Sequence, residues 1–330
     1  MIDLKRRTFL RLAGGACALP RLAPSAKAQA YPSQPITIVV PFAAGGPTDT
    51  IARILAEPMR AALGQDIVIE NVAGAGGTIG VGRVARAAPD GHTIVLGNWG
   101  TFVATGAIYS LPYDLQKDFE PVLPLITERN LIVASKAVPA TSLRELLLWL
   151  KANPDRASMG TSGVGGPGHM FAVFFRTETG TRYQLVPYRG AGPAVQDLVA
   201  GQIELMITGT STLLPHLRAG SIKAYAVTDK KRMAAAPNIP TVDEAGLPGF
   251  YLSVWNGLWA PKGTPRNVVA RINAAAQAAL LDTRLRQRFA ELSQEIWPPD
   301  QQTPEALESL QKSEIEKWWP IIKAANITPE

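Results

Sequence analysis

The segment Ile36–Asp49, I-T-I-V-V-P-F-A-A-G-G-P-T-D, constrains the fold more than any other stretch of this chain. Ile36 to Phe42 is a continuous apolar run rich in β-branched residues, the pattern of a strand buried on both faces. Gly45, Gly46, a proline and Thr48-Asp49 follow it. Beyond them Ile51, Ile54, Leu55, Met59, Ala62 and Leu63 fall on one helical face. A buried strand that enters a helix through a glycine turn is a unit of α/β folds. It is also suited to trapping an anion. Glycines let backbone N–H groups approach a ligand, and a helix start leaves those donors unpaired and partly positive. No lysine follows the last glycine as it does in a phosphate loop, so a carboxylate suits the turn better than a nucleotide. An ordinary strand-to-helix turn with a helix cap fits the same residues equally.

Residues 1–30 read as an export signal rather than as fold. Lys5, Arg6 and Arg7 precede Thr8-Phe9-Leu10 and an alanine-rich apolar stretch, and Ala28-Gln29-Ala30 offers a cleavage site before Tyr31. The paired arginines followed by Phe-Leu point to twin-arginine export of a folded protein into the periplasm. Cys17 after Gly14-Gly15-Ala16 hints at a lipoprotein signal, but the usual apolar residue three positions earlier is missing. The signal holds six Lys/Arg and one Asp, so 27 of the 33 basic and 26 of the 27 acidic residues remain, a net of +1. The basic balance is therefore no argument for nucleic-acid binding. Cys17 is the chain's one cysteine, so the mature part can form no disulfide. Its 300 residues suffice for two lobes and a core without staples.

Apolar β-like runs alternate with helical patterns almost throughout, which predicts an α/β fold. Strands are expected at 66–72, 93–96, 131–134, 158–161, 185–188, 203–208 and 223–227, with an irregular, proline-containing stretch at 111–124. Ser142-Leu143-Arg144-Glu145 is a capping box. A longer aromatic run at 252–260 carries Trp255 and Trp259. Helices are expected from Thr264-Pro265, Asp282 and Thr303-Pro304, the last ending near Trp318-Trp319-Pro320. This places lobe one at 31–130 plus 252–330 and lobe two at 131–251, with two crossings that make a hinge.

Enzyme chemistry finds little support. His92, His169 and His216 lie far apart, and no metal-ligand spacing is present. Gly160-Thr161-Ser162-Gly163-Val164 resembles a nucleophile elbow, but Val164 replaces its last glycine, so Ser162 suits a hydrogen-bonding role better. Gly80-Val81-Gly82 sits inside a helical pattern and is no dinucleotide fingerprint. His169, at a helix start, fits packing or capping better than a ligand contact. No catalytic residue, metal or cofactor is expected. Four loops instead share small residues, hydroxyls and free N–H groups: Ala43–Asp49, Asn98–Thr101, Thr161–Gly166 and Tyr188–Ala194. At the carboxyl ends of strands such loops build a ligand cleft.

The chain from Tyr31 onward resembles the Bug-type receptors, the periplasmic solute-binding subunits of tripartite tricarboxylate transporters. The matching pieces are V-V-P-F-A-A-G-G-P-T-D (39–49), E-N-V-A-G-A-G-G-T-I-G (70–80), L-P-Y-D-L-Q-K-D-F-E-P-V (111–122), P-Y-R-G-A-G-P-A-V-Q-D-L-V-A-G-Q (187–202), I-P-T-V-D-E-A-G (239–246) and W-N-G-L-W-A-P-K-G-T-P (255–265). The resemblance implies a two-lobe periplasmic binding fold, a type II-like Venus flytrap, without catalysis. It implies that two loops close like pincers on a carboxylate: Ala44, Gly45, Gly46, Thr48 and Asp49 on one side, Ala191, Gly192 and Pro193 on the other. Ser162 and Gly163 would lie nearby. Its implied partners are a small di-, tri- or aromatic carboxylate and two membrane subunits, or a sensor kinase in their place, with the receptor a monomer.

Two departures from the family pattern bear on the pocket. Thr208 stands where relatives usually carry Asp, which removes a partner for cationic groups and eases access for a second negative charge. Phe102 stands where relatives often carry histidine; Phe102 and Trp99 make a flatter, more apolar distal pocket, or both are core aromatics, and Thr101 in the same loop is a candidate ligand residue. Trp255 forms a cleft wall or packs the hinge. Arg189 pairs with ligand or faces solvent. The rivals to the receptor reading are an exported α/β hydrolase-like enzyme using Ser162, which lacks a supporting histidine and acid motif, and a solute sensor.

Overall fold

The structure is a computed structural model that describes residues 31–325 and Ile327. The signal expected at 1–30, with Arg6, Arg7 and Cys17, lies outside the described residues.

The opening apolar run is strand β1 (Ile36–Val40), and its glycine turn leads into helix α1 (Pro47–Leu63). Strands β2 (Ile67–Asn71) and β3 (Thr93–Asn98) flank β1 in parallel, with Ile38 opposite Ile69 and Ile94. Helices α2 (Thr78–Ala85) and α3 (Thr105–Ile108) complete this part. Next comes β4 (Phe119–Ser135), 17 residues long. The second half of the chain brings α4 (Leu143–Ala152), β5 (Ser158–Thr161), α5 (Pro167–Thr179), β6 (Gln184–Pro187), α6 (Ala191–Ala200), β7 (Leu205–Gly209), α7 (Thr210–Arg218) and β8 (Ile222–Val227). The chain returns through β9 (Ser253–Pro261), α8 (Arg266–Leu281), α9 (Thr283–Glu291), β10 (Gln294–Ile296) and α10 (Pro304–Ala324).

The strands run β2-β1-β3-β9-β4-β7-β5-β6, with β8 and β10 also paired to β4. β4 is the joint. Up to Arg129 it pairs with β9, and from Asn130 it pairs with β7 and β8. One long strand therefore serves two groups of strands. Parallel pairs within each group, β1 with β2 and β3, and β5 with β6 and β7, require helical crossovers that cover the faces. One apolar cluster packs α1, α8 and α9 on the first group, through Leu55, Met59, Ile272 and Phe289. A second packs α6 and α7 on the other group, through Val195, Leu198, Leu213 and Leu214.

Several elements differ from the sequence expectation. The stretch read as irregular up to Pro124 is strand from Phe119 onward. Pro121 and Pro124 are accommodated where the β4–β9 register shifts, because bulges remove the need for their missing N–H donors. Helix α10 does not end at Trp319 but continues through Pro320 to Ala324. Trp319 Nε1 donates to Val103 O at 2.9 Å and Ile322 is fully buried, so packing offsets the bond that Pro320 removes. The α8 cap falls on Pro265, one residue later than expected. Ser142 caps α4 by accepting from Glu145 N, but Glu145 reaches Thr141 N rather than completing the box on Ser142. Helix α7 and strand β10 were not foreseen.

Candidate ligand-binding cleft

Four helices, α1, α5, α6 and α7, begin at a single cavity, and each has a glycine as N-cap: Gly46, Gly166, Gly190 and Gly209. A glycine cap leaves the first turn without a side-chain acceptor of its own, and brings the positive end of the helix close to whatever fills the space. The first residues of these helices form the wall: Pro47 and Thr48 from α1, Pro167 and Gly168 from α5, Ala191 from α6, and Gly209 before α7. Strands β4 and β9 supply the floor through Glu128, Asn130, Val254 and Asn256. Among the described residues no Lys or Arg lines the cavity, and Glu128 is the one ionisable residue that does.

Of the residues expected from sequence, Gly46, Thr48, Ser162, Ala191 and Thr208 line this cavity. Thr48 Oγ1 accepts from Asn98 Nδ2 at 3.2 Å, which ties the α1 start to the end of β3. Ser162 Oγ accepts from Gly168 N at 3.2 Å and so supports the first turn of α5. Ala44, Gly45, Gly192 and Pro193 lie in an outer groove instead, where the two pincer segments touch. Ala43 N donates to Arg189 O at 3.1 Å across that contact. A Cβ on Gly192 would stand 2.3 Å from Ala44 O, so this approach requires glycine. Gly163 sits at a similar contact, where a Cβ would lie 3.0 Å from Tyr188 O.

Asp49 is turned away from the cavity. Its carboxylate accepts from Gly45 N and Arg53 Nε, both at 2.9 Å, and from Asn71 Nδ2 at 3.0 Å. Burial pushes this carboxyl up, but the bonds from Arg53, Gly45 and Asn71 outweigh it and hold it below its ordinary value. Asp49 thus fixes the pincer loop from behind. Thr101 is fully buried and holds the Asn98 backbone by accepting from its N–H at 2.9 Å. Trp99 packs between Phe171 and Trp318, and Phe102 stacks on Trp259 at 3.7 Å. Trp255 packs beside Trp259 at 6.1 Å. None of Asp49, Trp99, Thr101, Phe102 and Trp255 lines the cavity. The Arg189 side chain is exposed, and His169 Nδ1 accepts from Gly165 N at 3.4 Å.

Glu128, Asn130, Val254 and Asn256 were not singled out from sequence as ligand residues, whereas Asn98 opens one of the four candidate loops. A signal existed for three of them. Thr127-Glu128-Arg129-Asn130 interrupts an otherwise apolar strand, and Asn256 stands inside the aromatic run of β9.

Comparison with known proteins agrees with this architecture. The family model described as "Tripartite tricarboxylate transporter family receptor" matches residues 51–327. The periplasmic binding protein BugD is 39% identical with a TM-score of 0.88, covering 91% of this chain and all of that one. MatC from Rhodopseudomonas palustris, solved with bound malate, is 40% identical with a TM-score of 0.85, covering 88% of this chain and all of that one. The R. palustris protein Rpa4515, solved with adipate, is 33% identical with a TM-score of 0.85, covering 91% and 100%. The chain therefore belongs to the tripartite tricarboxylate transporter receptor family and is a Bug-type solute-binding receptor with a periplasmic binding protein fold.

Proposed function

We propose that this receptor captures a small carboxylate between lobe one, residues 31–130 plus 252–330, and lobe two, residues 131–251, and presents it in the periplasm to the membrane subunits of a tripartite transporter. The observation that carries the ligand class is the meeting of four glycine-capped helix starts at one cavity that no Lys or Arg among the described residues lines. Partial positive charge from backbone donors suits a compact anion, and it holds a carboxylate without a buried counter-cation. Malate in MatC and adipate in Rpa4515 are carboxylates of this kind. Ser162 supports a binding role rather than a nucleophilic one, because its Oγ serves the first turn of α5. Thermal-shift and calorimetric titration of residues 31–330 with malate, adipate, citrate and benzoate tests the reading. A ligand at 100 times its dissociation constant stabilises the folded state by about 2.7 kcal/mol. Binding of amines or neutral sugars with no carboxylate binding would refute it.

A further inference from the structure

Glu128 is a buried acid that the pincer mechanism does not use. It is 2% exposed, lies on β4 at the joint between the two strand groups, and lines the cavity floor. Its two oxygens differ. Oε1 accepts from Ser211 N at 2.9 Å, from Ser211 Oγ and from Gln294 Nε2 at 3.3 Å. Oε2 has no hydrogen-bond partner among the described residues. Gly209 leaves room for the carboxyl, since a Cβ there would lie 2.3 Å from its Cδ.

Among the described residues no charged side chain faces Glu128; the first turn of α7 brings its partial positive end through Ser211 N, which favours the ionised form. β9 contributes Val254 and Asn256, β7 Gly209, α7 Ser211 and β10 Gln294. Arg129, next along β4, is turned to Asp229 and Glu295. Burial pushes the Glu128 carboxyl above its ordinary range, and the bonds from Ser211 and Gln294 only partly offset this. With three donors already on Oε1, a proton on this carboxyl belongs on Oε2. The floor carries a second unmatched polar atom, Asn256 Oδ1, in a residue 1% exposed. A buried polar atom left unpaired costs about 1–3 kcal/mol, so Asn256 Oδ1, an acceptor, favours a ligand that brings a donor such as a hydroxyl.

We propose that Glu128 is the specificity-determining residue of the cleft: as a neutral acid it donates from Oε2 to the far carboxylate of a dicarboxylate, whose near carboxylate is held at the helix starts of α1, α5 and α6. The assignment rests on the carboxylate-receptor reading and extends it from carboxylates in general to dicarboxylates. Thr208 in the same wall adds no second acid to oppose the far carboxylate.

Calorimetry with matched ligands tests it. Adipate is compared with hexanoate, or malate with 3-hydroxybutanoate, whichever diacid binds, on the wild type, E128Q and E128A. Gln keeps a neutral donor at the position of Oε2 and an acceptor at Oε1, so E128Q should keep the wild-type preference for the diacid within threefold. E128A should lose that preference by tenfold or more, and circular dichroism reports whether it folds. A tenfold gain in diacid affinity in E128Q would overturn the proposal, because it would mean that Glu128 is ionised and repels the far carboxylate. Preferential binding of hexanoate by the wild type, or an unchanged preference in a folded E128A, would overturn it as well. Failure of both members of each pair to bind the wild type would instead remove the carboxylate reading, and this assignment with it.

Discussion

Gly192 and Gly46 face each other across the pincer contact, yet they tolerate side chains differently. A Cβ on Gly192 would meet Ala44 O at 2.3 Å, a backbone atom that cannot swing aside, whereas one on Gly46 would make an ordinary 3.6 Å contact. Gly192→Ala should therefore disfavour the approach of the two segments by about 1–3 kcal/mol, the usual scale of overpacking. That corresponds to a loss of roughly fivefold to 150-fold in ligand affinity, since about 1.4 kcal/mol is tenfold. Gly46→Ala should stay within about threefold of the wild type, because no atom stands in its way. Calorimetry on both variants checks the asymmetry, and equal losses would show that contact at Gly192 does not limit binding.

Strand β4 is the element on which the architecture depends. Its partners change between Arg129 and Asn130, and both residues also reach other segments there. Arg129 bridges Asp229, just after β8, and Glu295 on β10. Asn130 Nδ2 donates to Leu252 O at 3.0 Å, where the chain comes back to β9. Arg129 is mostly shielded, with its side chain 14% exposed, so its bonds are worth more than surface pairs. Arg129→Ala should cost about 1.5–3 kcal/mol of folding stability, the scale of hydrogen bonds to charged groups. Urea denaturation should show this as a lower midpoint at unchanged slope. A loss below about 0.5 kcal/mol would place the bridge among ordinary surface ion pairs.

At the scale of the molecule, the two strand groups meet on both sides of the cavity. Gly76 shows the closeness on one side: its φ is 64°, and a Cβ there would lie 2.3 Å from Val164 O. Tyr109 Oη donates to Val164 O at 2.9 Å nearby. Helix α10 adds a third link, since Trp318 meets Trp99 at 5.2 Å and Phe174 of α5 at 5.5 Å. A ligand that touches both walls gains its full set of contacts only when they are together, so it should favour the closed form. Small-angle scattering should give a smaller radius of gyration at ligand saturation. Tryptophan emission should change on binding, and Trp318→Phe should remove much of that change. An unchanged radius together with unchanged hydrogen exchange near residues 130 and 252 would mean a rigid, preformed cleft.

The order of elements was legible in the sequence because it rests on local patterns. The β-branched run Ile36–Val40, the glycine turn before α1 and the Asp282 and Thr303 caps depend on neighbours a few residues away. Glycines beside helix starts likewise pointed to the loops that carry Gly46, Thr48, Ser162 and Ala191, which line the cavity. Tertiary structure alone decided what those patterns leave free. Pro121 and Pro124 read as breakers, yet β9 pairs with β4 through bulges around them. Asp49 looked like a ligand residue, but Arg53 and Asn71 claim its carboxylate. Trp99 and Trp255 fitted either a pocket wall or packing, and long-range contacts placed both in the core. Glu128 gained its place because Ser211 and Gln294, 83 and 166 residues away, meet it on neighbouring elements. Helix and strand preferences are set by adjacent residues, whereas burial and hydrogen-bond partners are set by segments that only the folded chain brings together.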